Sequence, residues 1–193
     1  VELREGHVDP CVAVGARDEV AALELNVSCP NVRTGLMMGA DPAETAALRS
    51  LRAVLLGGGA TVIATSSRLD SERIAFFRKL YRDNARDGAA LWLASANMSS
   101  YADVDDLISW IGAEQTENLG GTTGVVKPAL KPTLLFPFAA PRVAGDLTDA
   151  GGRAELEMKV LLWSVERLIA GLGSIAADHD LEARLHVVLP GSP

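Results

Sequence analysis

Cysteine and histidine are scarce: Cys11 and Cys29, with His7, His179 and His186, are all that the 193 residues hold. Neither set has metal-ligand spacing, and two cysteines make no disulfide framework, which speaks against zinc chemistry and against a stapled secreted scaffold. Basic residues are outnumbered, 18 Lys and Arg against 25 Asp and Glu, for a net charge of -7. The arginines between residues 68 and 86 are interleaved with aspartates, so the field repels phosphate backbones and nucleic acid is excluded as a natural partner. Long apolar runs are also missing. Nothing approaches the about 18 consecutive uncharged apolar residues of a membrane span, and the opening VELREGHVDP lacks the basic and apolar regions of a signal peptide. The expectation is a soluble, cytoplasmic chain with no membrane partner. What is present, 48% apolar and 22% charged residues, suits one globular domain with a core. The chain opens on Val1 and stops at LPGSP just after an apolar run, which gives the expectation of a piece of something longer.

From residue 41 onward the pattern alternates between helical and strand periods. Asp41 with Glu44 makes a capping-box-like start, Pro42 suits the first helical position, and Ala47, Leu48, Leu51, Val54 and Leu55 share a face. That helix ends at Gly57 to Gly59. Residues 60–65 (ATVIAT) form a β-branched run fit for a strand buried on both faces. Asp70 or Ser71 caps a helix carrying Ile74, Phe77 and Tyr81, and AALWLA (89–94) is the next strand. Ser100 and Asp103 cap a second crossover helix with Val104, Leu107, Ile108 and Ile111 on one face.

Residues 114–132 are rich in turn formers and read as a surface loop. TLLFPF (133–138) is a strand, residues 155–172 are helical and apolar nearly all round, and LHVVL (185–189) closes the chain as a strand. This alternation predicts an α/β fold, a Rossmann-like doubly wound parallel sheet, because parallel neighbours need crossover connections.

In open parallel sheets the ligand lies beyond the carboxyl ends of the strands. Four such tips are readable. Thr65, Ser66, Ser67 and Arg68 offer small hydroxyls and a guanidinium, chemistry that suits a ribose 2'-phosphate or, equally, a helix start beside a surface charge. Ser95 to Met98 offers Asn97, an amide for an adenine edge or a plain turn residue. Phe138, Ala139, Ala140 and Pro141 are small or flat enough to admit a ring near the backbone, which a tight turn would also demand. Gly191, Ser192 and Pro193 place a hydroxyl at a strand end, catalytic or merely part of a turn.

Taken together the tips carry a resemblance. The stretches LLGGGATVIATSSRLDSERIAFFRKLYRDNARDGAALWL, ANMSSYADVDDLISWIGAEQTE, PTLLFPFAAPRVAGDL, AELEMKVLLWSVERLIAGL and RLHVVLPGSP are similar to the β-ketoacyl reductase domain of type I fatty acid synthase, from about Leu48 to Pro193. The resemblance implies a short-chain dehydrogenase/reductase-like Rossmann fold, here incomplete. It implies NADPH-dependent reduction of a 3-ketoacyl group carried on acyl carrier protein, beside other domains of a large homo-oligomeric synthase. By this resemblance Ser66, Ser67 and Arg68 lie near the NADPH 2'-phosphate, and Asn97 and Met98 at the adenine-side turn. Phe138, Ala139 and Ala140 stand under the nicotinamide ribose, and Ser192 is the serine of the Ser/Tyr/Lys group. Lys159 borders that site with no role assigned, and Tyr81 and Tyr101 do not replace the family's tyrosine, which is expected with its lysine beyond Pro193.

Two further features qualify it. The glycines of the dinucleotide loop fall on Asp41 and Thr45, and a carboxylate about 4 Å from a phosphate at an effective dielectric near 20 costs on the order of 4 kcal/mol. The isolated chain is therefore expected to bind NADPH weakly. In addition, AALELNVSCPNVRTGLMMGADPAE resembles the FMN-contacting strand and loop of dihydroorotate dehydrogenase, with Asn26 and Asn31 near flavin or substrate. Residues 1–45 are accordingly set apart as a lead-in, and 46–193 as the ketoreductase-like domain. The alternatives to a reductase are a non-catalytic reductase-like module of the synthase and a fragment of an FMN-dependent dihydroorotate dehydrogenase.

Overall fold

A computed structural model describes residues 3–4, 7–8, 21–25, 42–139, 151–178 and 185–189. Two short strands, β1 (Leu3–Arg4) and β2 (His7–Val8), pair antiparallel. Then follow β3 (Ala21–Leu25), α1 (Pro42–Gly57), β4 (Thr61–Ser66), α2 (Ser71–Asn84), β5 (Ala90–Ser95) and α3 (Tyr101–Gly112). A hairpin, β6 (Gln115–Leu119) and β7 (Thr122–Lys127), precedes β8 (Pro132–Pro137). The last long helix runs as α4 (Gly151–Met158), a π-helical segment Lys159–Trp163, and α5 (Ser164–Asp178), before β9 (His186–Val187).

The main sheet has the order β5-β4-β3-β8-β9, and its paired strands are parallel throughout. The chain moves outward from β3 through β4 to β5, then returns to the other side of β3 for β8 and β9. That is the doubly wound arrangement expected. Its central strand, however, comes from the segment set apart as a lead-in, so the sheet-forming unit reaches back at least to Ala21, across the boundary placed at residue 45. Asn26 and Asn31 lie outside the described residues.

β4 and β5 form because each is apolar on both faces: Val62, Ile63 and Ala64, then Leu91, Trp92 and Leu93, are buried. α2 and α3 start where their caps predict. Asp70 Oδ1 accepts from Arg73 N at 2.9 Å, and Ser100 Oγ accepts from Asp103 N at 3.2 Å. The buried face of α2 is Phe77, Leu80 and Tyr81, and that of α3 is Val104, Leu107 and Ile111. The face expected for α1 is corrected: Val54 is 72% exposed, while Leu56 and Arg52 are buried. Arg52 is buried with its guanidinium 5.0 Å from the centroid of the Phe77 ring, a contact that favours a long cationic side chain lying inward.

The surface loop expected at 114–132 is also corrected, since it contains the β6–β7 hairpin. Gly120 and Gly121 have φ of 64° and 93°, the left-handed pair that a two-residue hairpin turn requires, and Asn118 Oδ1 accepts from Gly121 N at 2.9 Å. At its far end Lys127 is fully buried. Its Nζ donates to the carbonyls of Ala113 (2.7 Å), Pro128 (3.0 Å) and Ile111 (3.3 Å) and sits 4.7 Å from the Trp110 ring centroid. Lys127 thus satisfies the last carbonyls of α3 and favours its negative dipole end.

Burial pushes the Lys127 ammonium down to about 8. An unfolded lysine titrates near 10.4, so between about pH 8 and 10.4 the unfolded chain holds more protons and folding gains stability as pH rises. The unfolding free energy of the wild type, relative to Lys127→Met, is therefore expected to increase over that window in paired urea titrations. A flat difference would contradict this.

α5 packs on α3 through two notches. A Cβ at Gly171 would meet Ile108 Cδ1 at 2.5 Å, and one at Gly112 would meet Ile175 at 3.0 Å, so glycine lets the helices approach closely. The helix expected to be apolar all round divides its apolar residues. Val160, Val165, Leu168 and Leu172 are buried, whereas Met158, Leu161, Leu162, Trp163 and Ile169 are exposed. No helix among the described residues is long and apolar enough to cross a membrane.

Candidate functional site

The winding reverses between β3 and β8, and ligands of open α/β sheets sit beyond the strand ends at such a switch point. Because all five strands are parallel, the tips after β3, β4, β5, β8 and β9 lie along one edge. α1 begins at that edge, as a helix following β3 must. Thr45 lies inside α1, and Asp41 lies outside the described residues.

The tip of β4 is the best defined. Ser66 is buried and pairs with Ser95 across the sheet. Its Oγ donates to the Arg68 carbonyl at 2.8 Å, and accepts from Arg68 N at 3.3 Å and from Arg73 Nη1 at 2.5 Å. A hydroxyl has one donor and two acceptor positions, and all three are used here. The Ser66 hydroxyl thus ties the turn together. Ser67 is half-buried and Arg68 is exposed at the edge. Arg73, on the first turn of α2, was missed by sequence reading because it lies among alternating surface charges. No sequence signal marks it.

At the β5 tip, Asn97 is exposed but its side-chain oxygen is engaged, accepting from Ser99 N at 3.0 Å and Ser99 Oγ at 2.8 Å. Asn97 N donates to Asp103 Oδ2 at 3.0 Å. The Ser100 hydroxyl and this N–H hold the Asp103 carboxyl below its ordinary range. Met98 is buried in the core, and its carbonyl accepts from Ser164 Oγ at 2.6 Å. Met98 is thus a buried residue whose carbonyl anchors α5 to the tip.

The π-helical segment sets that register. Ser164 follows it directly, and Lys159 at its start places Nζ 4.6 Å from the Tyr101 ring centroid, with Arg167 at 5.4 Å from the same ring. Arg167 pairs in two-pronged fashion with Asp105, at 2.5 and 2.7 Å. Lys159 and Tyr101 thus belong to the α3–α5 contact. After β8, Phe138 is half-buried, Ala139 is buried, and Phe136 stacks on Phe138 at 6.1 Å. Ala140 and Ser192 lie outside the described residues. Among the described residues no group of three or more His, Cys, Asp or Glu gathers to hold a metal ion.

Fold and edge together define a Rossmann-like doubly wound parallel sheet, a fold that solved short-chain dehydrogenases share. Solved structures agree. The bulky-bulky ketone specific alcohol dehydrogenase from Comamonas testosteroni superimposes with a TM-score of 0.56 at 11% identity, over 91% of this chain and 55% of that one. A short-chain dehydrogenase from Sphingobium yanoikuyae in complex with NADPH gives 0.54 at 12%, over 89% and 53%. No protein-family model matches the chain.

Relatives by sequence are fatty acid synthases. The alpha subunit pkiB of Emericella nidulans is 32% identical over 134 residues, 69% of this chain and 7% of that protein. Subunit alpha of Schizosaccharomyces pombe is 30% identical over 141 residues, 72% of this chain and 7% of that protein. The alpha subunit hexA of Dothistroma septosporum is 27% identical over 199 residues, covering the whole chain and 11% of that protein. The last alignment takes in the first 45 residues as well. The chain is therefore similar to a segment of fungal fatty acid synthase alpha subunits and spans only 7% to 11% of their length.

Proposed function

We propose that this chain is part of a fatty acid synthase multienzyme and carries the cofactor edge of its 3-ketoacyl-acyl carrier protein reductase, which uses NADPH. The observation that supports it most is the β4 tip: a chain related to synthase alpha subunits follows the second strand of its switch point with Ser67 and Arg68. An acidic residue there would favour an unphosphorylated ribose, whereas an arginine accommodates the 2'-phosphate. NADPH, when bound, supplies the hydride for the ketone carbon. Ser67 and Arg68 meet the 2'-phosphate, Asn97 borders the adenine, and Phe138, Ala139 and Ala140 carry the nicotinamide ribose. Ser192 donates a hydrogen bond to the substrate oxygen as negative charge builds there. The partners are an acyl carrier protein domain bearing the 3-ketoacyl chain and the other synthase domains.

The test is NADPH oxidation by the full-length parent with a 3-ketoacyl thioester. Turnover that follows NADPH and fails with NADH is expected, and absence of turnover with either would overturn the proposal. A non-catalytic reductase-like module is the second reading, favoured by Thr45 lying within α1 at a position where the family has glycine. Micromolar saturation of the parent by NADPH would reject it.

A further inference from the structure

The β4 turn contains a guanidinium that the family pattern of Ser66, Ser67 and Arg68 does not include. Arg73 reaches back from the first turn of α2 to the buried Ser66 hydroxyl at 2.5 Å, and that same hydroxyl holds both the N–H and the carbonyl of Arg68. The backbone position of Arg68 is therefore fixed from two directions through one oxygen. Arg73 is itself fixed from behind, since its N–H is held by the Asp70 cap. Asp70 and Glu72 place two carboxylates on the start of the same helix.

We propose that Arg73 is a positioning residue that sets selectivity for a 2'-phosphorylated adenine nucleotide, acting through Ser66 on the Arg68 turn. This rests on the cofactor reading above. Removing the Arg73 guanidinium takes away its hydrogen bond to the Ser66 oxygen and loosens the turn that presents Arg68. A group that acts on the 2'-phosphate through the Arg68 turn is missed only by a nucleotide that carries that phosphate, so the loss is expected to fall on 2',5'-ADP rather than on 5'-AMP.

The experiment titrates the full-length parent by calorimetry with 2',5'-ADP and with 5'-AMP, probes that need only the adenosine half of the site. The wild type is expected to prefer 2',5'-ADP by at least about tenfold, for a charge-assisted phosphate contact. Arg73→Gln is expected to cut that preference to about threefold or less with 5'-AMP affinity unchanged, and Arg73→Lys to retain an intermediate preference. Thermal unfolding of each variant checks that it folds. An unchanged preference in Arg73→Gln overturns the proposal, as does an equal loss for both nucleotides, which marks a purely structural role. A wild type without preference for 2',5'-ADP overturns the cofactor reading itself, and the proposal with it.

Discussion

Ser192→Ala, made in the full-length parent, is expected to lower kcat for 3-ketoacyl reduction by about two to three orders of magnitude, with KM for the thioester nearly unchanged. The reason lies in when the hydrogen bond matters. A ketone oxygen carries little charge in the ground state and close to a full charge as hydride arrives, so a donor at that oxygen acts mainly on the transition state. Loss of one such donor typically costs that much in kcat. Steady-state kinetics checks it, with the NADPH dissociation constant as a control for intact cofactor binding. Turnover equal to the parent's would remove Ser192 from the reaction.

The largest effect on stability is expected at Trp92→Ala. Trp92 is fully buried in the middle of β5, opposite Ile63 of β4, and its ring meets Trp110 edge-to-face at 6.4 Å and 72°. Truncating a buried tryptophan costs about 3–5 kcal/mol. A domain of this size is typically stable by about 5–15 kcal/mol. A large fall in the urea midpoint, followed by far-UV circular dichroism, is the expected result. A midpoint within error of the wild type would mean that Trp92 does not pack as described.

The parts of the fold that were legible are those where two independent signals coincide. α2 and α3 each have a capping residue, Asp70 or Ser100, followed by apolar residues at helical spacing, and both form as read. β4 and β5 are short apolar runs between turn formers, and burial on both faces gives such runs no other place to go. The failures are equally specific. The α1 face was read by hydrophobicity alone, which cannot anticipate that Arg52 is drawn inward over Phe77. The hairpin was hidden because Gly120 and Gly121 read as loop formers, although a Gly-Gly pair between Thr-containing flanks is also a hairpin turn. The central strand AALEL carries a charged residue, Glu24, next to its last position and does not look like the core of a parallel sheet until its two neighbours are in place.

At the candidate site, the sequence shows which residue types stand at the tips but not how their polar atoms are engaged. Ser66, Ser67 and Arg68 stand at the tip where their chemistry led us to look. Whether a hydroxyl faces a ligand or its own backbone depends on hydrogen bonds that a sequence does not display, and Ser66 turns inward. Met98 is similar: it follows a strand tip, but its side chain is enclosed in the core and its carbonyl is taken by Ser164. The π-helical segment that brings Ser164 there has no signature in KVLLW.

The most direct measurement is a crystal structure of the full-length parent with NADPH. The 2'-phosphate is expected within hydrogen-bonding reach of Arg68 at the end of β4, with the nicotinamide over the segment that follows β8 and beside the Ser192 hydroxyl. Coenzyme density away from the carboxyl edge of the sheet, or Arg68 and Ser192 on opposite faces of the molecule, would contradict the account.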